Sequence, residues 1–239
     1  MTEWAAKRFW KNATVTEGDA GYGIALDGRA VQTPAKAPLA LPTRALAAAI
    51  AAEWDAVDGK IDPRSMPMTR TANSAIDKVA HQHAEVADMI AAYGQTDLLC
   101  YRATSPQELV LRQSEEWDPL LDWAESALGV RLRPVAGVMP EPQDPAALET
   151  LRRRVHAHDA FELAALHDLV ALSGSLIIGL AAMHNAQDIG TLWQISRLDE
   201  AWQSELWGAD EEAEEMAAVK RAAFVHSKEF FLLLSEKDR

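Results

Sequence analysis

The sequence predicts an α+β protein, with a small strand-rich N-terminal domain over residues 1–66 and a larger, mainly α-helical domain over residues 67–239. Three observations carry that expectation. From Phe9 to Leu41 the chain breaks into short β-prone pieces separated by glycine and proline. After Pro67 the apolar residues recur at helical spacing. The chain has 239 residues, 49% of them hydrophobic, enough to bury a sizeable core.

Ala13-Thr14-Val15-Thr16 and Tyr22–Leu26 read as strands, and the Asp27-Gly28 pair after the second is a hairpin signal. Thr43 is placed to cap a helix from Arg44 in which Leu46, Ile50 and Trp54 share a face, and Gly59 ends it. Past Pro63 and Pro67 the pattern predicts helices over about residues 71–93 and 106–128. The second holds Trp117, Leu120, Leu121, Trp123 and Leu128, a concentration that reads as core, as does Trp54 in the first domain. Pro134, Pro140, Pro142 and Pro145 mark a loop. Further helices are predicted over about residues 146–157, 159–183, 188–207 and 210–234, with Ser173-Gly174-Ser175 read as a point of close helix packing.

Acidic residues outnumber basic ones 36 to 23, and a formal charge of -13 repels a phosphate backbone, so nucleic acid is not an expected partner. The single cysteine, Cys100, lies in an apolar run without a neighbouring base and reads as a buried thiol. The apolar stretch from Leu169 to Met183 is interrupted by Ser173-Gly174-Ser175 and falls short of the ~20 residues of a membrane span. Met1-Thr2-Glu3-Trp4 lacks the apolar region of a secretion signal, which predicts a cytoplasmic protein, or a matrix protein if the chain is a processed eukaryotic form.

No nucleotide-binding loop or hydrolase elbow is present, and no cofactor is expected. His81 and His83 point about 200° apart on a helix. His156, His158, Glu162 and His167 are the set from which a metal-dependent hydrolase, the competing enzyme reading, would have to be built.

The segment from Asp188 to Glu215 stands apart. Ile195, Leu198, Trp202 and Leu206 account for a buried face of a helix stopping at Gly208. On the opposite side Trp193, Glu200 and Trp207 recur every seven residues, with Arg197 and Glu211 beside them. Tryptophan with arginine on a polar face is an interface pattern, and packing between two neighbouring helices is the alternative.

Several short tags are spread along the chain: Lys7-Arg8-Phe9-Trp10, Leu26-Asp27-Gly28-Arg29, Glu53-Trp54-Asp55, Met66-Pro67-Met68-Thr69-Arg70, Cys100-Tyr101-Arg102, Glu116-Trp117-Asp118-Pro119 and Ser196-Arg197-Leu198 through Trp207-Gly208. In this order and spacing they resemble the assembly chaperones that act on the alpha subunit of F1 ATP synthase. The resemblance implies a non-enzymatic protein without cofactor that binds unassembled alpha and uses Glu200, Asp199 and Glu205 as partner contacts; the free chain is expected to be monomeric. With the tryptophan face, the candidate partner-binding set is Trp193, Arg197, Asp199, Glu200, Gln203, Glu205, Trp207 and Glu211. A general holdase is a further alternative. The acidic run from Asp210 to Glu215 and the stretch from Met139 to Pro145 depart from the family pattern and inherit no role.

Overall fold

The computed structural model describes residues 7–137 and 141–235; Met1-Thr2-Glu3-Trp4, and Met139 and Pro140 of the expected proline loop, lie outside them. The architecture is α+β, strand-containing at the N-terminal end and mostly helical after it. Two compact units are present, one formed by residues up to His83 with Asp159–Ala165 and those from Glu229 on, the other by Ala84–His158 and Leu166–Lys228.

In the first unit, strands β1 (Ala13–Gly18), β2 (Gly21–Leu26) and β3 (Arg29–Ala30) form an antiparallel sheet in that order. Asp27-Gly28 is the two-residue turn that pairs Leu26 with Arg29, and the Asp27 carboxylate accepts the backbone N–H groups of Lys11 and Asn12, which holds its pKa below the usual value. Helix α1 (Arg44–Asp55) begins as the sequence predicts: Thr43 Oγ1 accepts Leu46 N at 3.2 Å and donates to the carbonyl of Leu233 at 2.7 Å. Arg8 fastens the entering chain by donating to the carbonyls of Trp10, Lys11, Asp55 and Val57. The core gathers Trp10, Ile24, Leu41, Leu46 and Ile50 with Phe230 from the far end of the chain.

The expected boundary at residue 66 falls inside this unit. Helix α2 (Pro67–Asp77) belongs to it because Met66 and Ala72 join the same core, and because Glu53 of α1 caps the helix: its carboxylate accepts Met68 N at 2.6 Å, Thr69 N at 2.8 Å and Thr69 Oγ1 at 2.7 Å. Trp54 is only half-buried; its ring lies edge-on to Trp10 at 5.3 Å, and its Nε1 has no acceptor among the described residues.

The helix expected over residues 71–93 is broken at Lys78 into α2 and α3 (His83–Ala91). The second unit then takes β4 (Tyr101–Arg102), α4 (Gln107–Trp123), β5 (Val135–Ala136), parallel to β4, and α5 (Pro145–His156). Trp117 is fully buried and donates to the carbonyl of Ile195 at 3.0 Å.

The helix expected over residues 159–183 is two, α6 (Ala160–Ser173) and α7 (Leu176–Met183). Gly174 adopts φ 72, a left-handed stop, and Ser175 caps α7 by accepting Ile178 N at 3.0 Å. Close packing occurs instead at Gly179, where a Cβ would lie 2.6 Å from Cγ2 of Val170. Buried Asp97 accepts the N–H groups of Leu99 and Ile177, both at 3.0 Å, and burial pushes its pKa up to about 6.

Candidate functional site

The helix expected over residues 188–207 is also two, α8 (Ile189–Ser196) and α9 (Leu198–Trp207), meeting at Arg197. Helix α10 (Glu211–Ser235) follows after Gly208. The break puts the two tryptophans in different environments. Trp193 is 5% exposed, tilted against Phe224 at 5.6 Å between ring centroids, with the Arg197 guanidinium 5.8 Å from its centroid. Trp207 is 77% exposed. Trp193 is therefore corrected from a surface anchor to a packed residue. The stripe expected to be buried holds only in part: Ile195 and Leu198 are buried, Trp202 is half-buried and Leu206 is exposed.

The remaining candidates sit along α9. Arg197 pairs with Glu200 at 2.8 Å, one turn on. Asp199 accepts from Nε2 of Gln113 at 2.7 Å, and Oε1 of Gln113 accepts the N–H of Ala103 at 2.8 Å. Gln203 and Asp199 line a hollow of about 500 Å³ beside Arg102. Glu205 receives two hydrogen bonds from Arg112 Nη1, at 2.9 and 2.8 Å. The carboxylates of Asp199, Glu200 and Glu205 are thus held in place by a side chain of the same unit, with Glu200 and Glu205 still exposed.

Every residue from 203 to 216 is exposed, so the end of α9, the turn and the first turns of α10 form a tip uncovered by the other described residues. Large apolar groups lie in and next to it: Leu206 at 56%, Trp207 at 77%, Met216 at 55% and Val219 at 66% exposure. Glu211 opens α10, with Glu212 and Glu214 in its first turn, and Asp210 accepts Glu212 N at 3.0 Å. Carboxylates at a helix N-terminus complement its dipole, so part of this acidic run has a structural purpose. Met216 and Val219 escaped the sequence reading because their spacing continues into Phe224 and Phe230, which are buried. Periodicity does not mark where along a 25-residue helix the covering neighbours stop.

The residues of the hydrolase reading are otherwise engaged. Asp88 lies 2.6 Å from Nε2 of His156 and accepts from Arg152 at 2.8 Å; Asp159 and Glu162 form a capping pair at the start of α6; and His167 Nδ1 lies 2.8 Å from Asp168. Among the described residues no group of three or more histidine, cysteine or carboxylate side chains is arranged to hold a metal ion. Cys100 is buried, and burial with nearby Asp97 pushes its thiol up to about 12. No helix among the described residues is long and apolar enough to cross a membrane.

A family described as ATP12 chaperone protein matches residues 7–125. The crystal structure of Atp12 from Paracoccus denitrificans is similar with a TM-score of 0.94 and 52% identity, covering 97% of this chain and all of that one (100%). The Atu1473 protein of Agrobacterium tumefaciens gives a TM-score of 0.90 and 41% identity, covering 97% of this chain and 86% of its own. Among curated proteins, Protein atp12, mitochondrial, of Schizosaccharomyces pombe is 27% identical over 222 residues, 88% of this chain and 76% of its own length.

Proposed function

The chain belongs to the ATP12 chaperone family, chaperones and not enzymes, and we propose that it holds the unassembled alpha subunit of F1 ATP synthase with the α9–α10 tip until the beta subunit arrives. The observation that carries this reading is the exposure of Leu206, Trp207, Met216 and Val219 in a segment otherwise rich in carboxylates. A subunit awaiting its ring neighbour presents an apolar interface that invites aggregation, and an apolar surface with an acidic rim covers such a patch when its border is basic. Beta displaces the chaperone when its own interface is better matched, so no ATP hydrolysis by the chaperone is required. The work is placed where F1 is assembled, the bacterial cytoplasm or, for a processed eukaryotic form, the matrix.

One buried tryptophan removes about 150–250 Å² from water, a gross gain near 4–6 kcal/mol at about 25 cal/mol per Å². Ordering and desolvation offset much of it. Trp207→Ala is therefore expected to weaken binding of purified alpha by about 2 kcal/mol, roughly thirtyfold, with the melting temperature unchanged. The measurement is a titration of alpha against both proteins, with parallel suppression of alpha aggregation. Wild-type affinity in Trp207→Ala carrying also Leu206→Ser sinks the assignment of the tip. Equal protection of unrelated aggregating proteins makes the chain a general holdase.

A further inference from the structure

The first unit carries a groove of about 1040 Å³ that the tip reading does not use. Its apolar part is made by Trp54, Ile61, Pro63 and Met66. One wall follows α2 and its flanks: Met66, Arg70, Asn73 and Asp77 follow one another at helical spacing on one face, and Lys78 lies just past them at the helix end. Arg70 and Lys78 have no carboxylate within ion-pair distance among the described residues, although the chain as a whole carries a charge of -13. Asp77, the acid in the lining, is held by its neighbours there: its oxygens accept Thr33 Oγ1, also of the lining, at 2.6 Å and Ala35 N at 3.0 Å.

We propose that this groove is a second docking site, which takes an extended polypeptide segment bearing apolar side chains and carboxylates. Charge complementarity selects the carboxylates, since the two cations of the lining, Arg70 and Lys78, outnumber its single carboxylate, Asp77. Length selects a peptide. From Met66 to Lys78 the wall runs about 18 Å at 1.5 Å per helical residue, room for about five residues of extended chain. Asn73 and Ser74 set amide and hydroxyl groups along that wall, matched to a peptide backbone and of no use to an alkyl chain.

Fluorescence anisotropy of the full chain tests this with three labelled peptides, in which leucines alternate with glutamate, glutamine or lysine. The glutamate peptide is expected to bind tightest and the lysine peptide weakest. Arg70→Glu with Lys78→Glu should weaken the glutamate peptide at least about tenfold and invert the order. Ser74→Trp fills the groove without changing its charge and should abolish binding of the glutamate peptide, and circular dichroism melts of both variants establish that they fold. Trp207→Ala should leave peptide binding untouched, so that failure here and failure of the tip as the alpha site are separate results. Equal affinity for all three peptides, no binding of any, or binding unchanged in Ser74→Trp overturns the proposal. Displacement of the glutamate peptide by decanoate at lower concentration also overturns it, by making the groove a fatty-acid site.

Discussion

Helix α7 and the α9–α10 tip are both rich in large apolar groups, yet every residue of the one is buried and every residue from 203 to 216 is exposed. α7 is apolar on all sides and so has no face to offer water. The tip mixes Leu206 and Trp207 with Glu205, Asp210 and Glu211, which keeps it soluble while its apolar groups remain available. The difference teaches that apolar content marks a surface to be covered without saying by what. In α7 the cover comes from the same chain, and in the tip the proposed function supplies it from the alpha subunit.

The sharpest way to break this comparison is to truncate one tryptophan of the buried core of the second unit and one of the tip. Trp117 of α4 is fully buried, with its N–H on the carbonyl of Ile195 of α8 and the Arg102 guanidinium 5.2 Å from its ring centroid. Trp117→Ala is expected to lower unfolding stability by about 3–5 kcal/mol, read from urea denaturation. The exposed Trp207→Ala should change it by less than about 0.5 kcal/mol. A comparable loss in both proteins would mean that the tip is packed in solution.

Next in size is the pH dependence built into the anchor of α7. Asp97 titrates near 6 in the folded chain against an ordinary 3.8, because its burial outweighs the N–H groups it accepts. A carboxyl raised in the folded state contributes stability that is fully present below about pH 4 and is lost as pH rises through about 6, on the order of 3 kcal/mol in all. The stability of wild type relative to Asp97→Asn should therefore fall between about pH 4 and pH 6 and level off above. A constant difference across that range would show that Asp97 is not raised.

How much of this was legible follows the range of the interactions. The Asp27-Gly28 turn and the Thr43 cap are local devices, and both stand where the residues place them. Gly174 and Ser175 were also readable, as a stop followed by a cap, had the pair been weighed against the apolar run around it. The break at Arg197 has no glycine or proline to announce it, and it moved Trp193 from the expected face into the packing against Phe224. The first unit was least legible: Phe230 completes its core from the other end of the chain, and Glu53 ties α2 to α1 across the prolines that looked like a boundary. Several resemblance tags proved to be such ties, with Arg8, Glu53 and Arg102 each holding distant backbone or a carboxylate. Of the site, the acidic character and Trp207 were visible in the sequence, whereas Met216 and Val219 emerged only with their exposure.

The smallest expected effect separates what the start of α9 does for the fold from what it does for a partner. Glu200 is exposed and pairs with Arg197 at 2.8 Å within one turn of helix. An exposed pair at this spacing contributes about 0.3–0.5 kcal/mol. Glu200→Lys removes it and sets a like charge beside Arg197, so stability should fall by no more than about 1 kcal/mol. Its effect on alpha binding has a different signature. If Glu200 faces a basic border on the client, charge reversal slows association and makes the affinity gap to wild type narrow as salt rises, because screening acts within about 8–10 Å at ordinary ionic strength. Glu200→Gln separates loss of the pair from reversal of the charge and should fall between wild type and Glu200→Lys. Surface plasmon resonance with immobilised alpha, repeated over a range of salt concentrations, reads both quantities. A gap that is independent of salt places Glu200 away from any charged border and leaves the apolar residues of the tip as the binding surface.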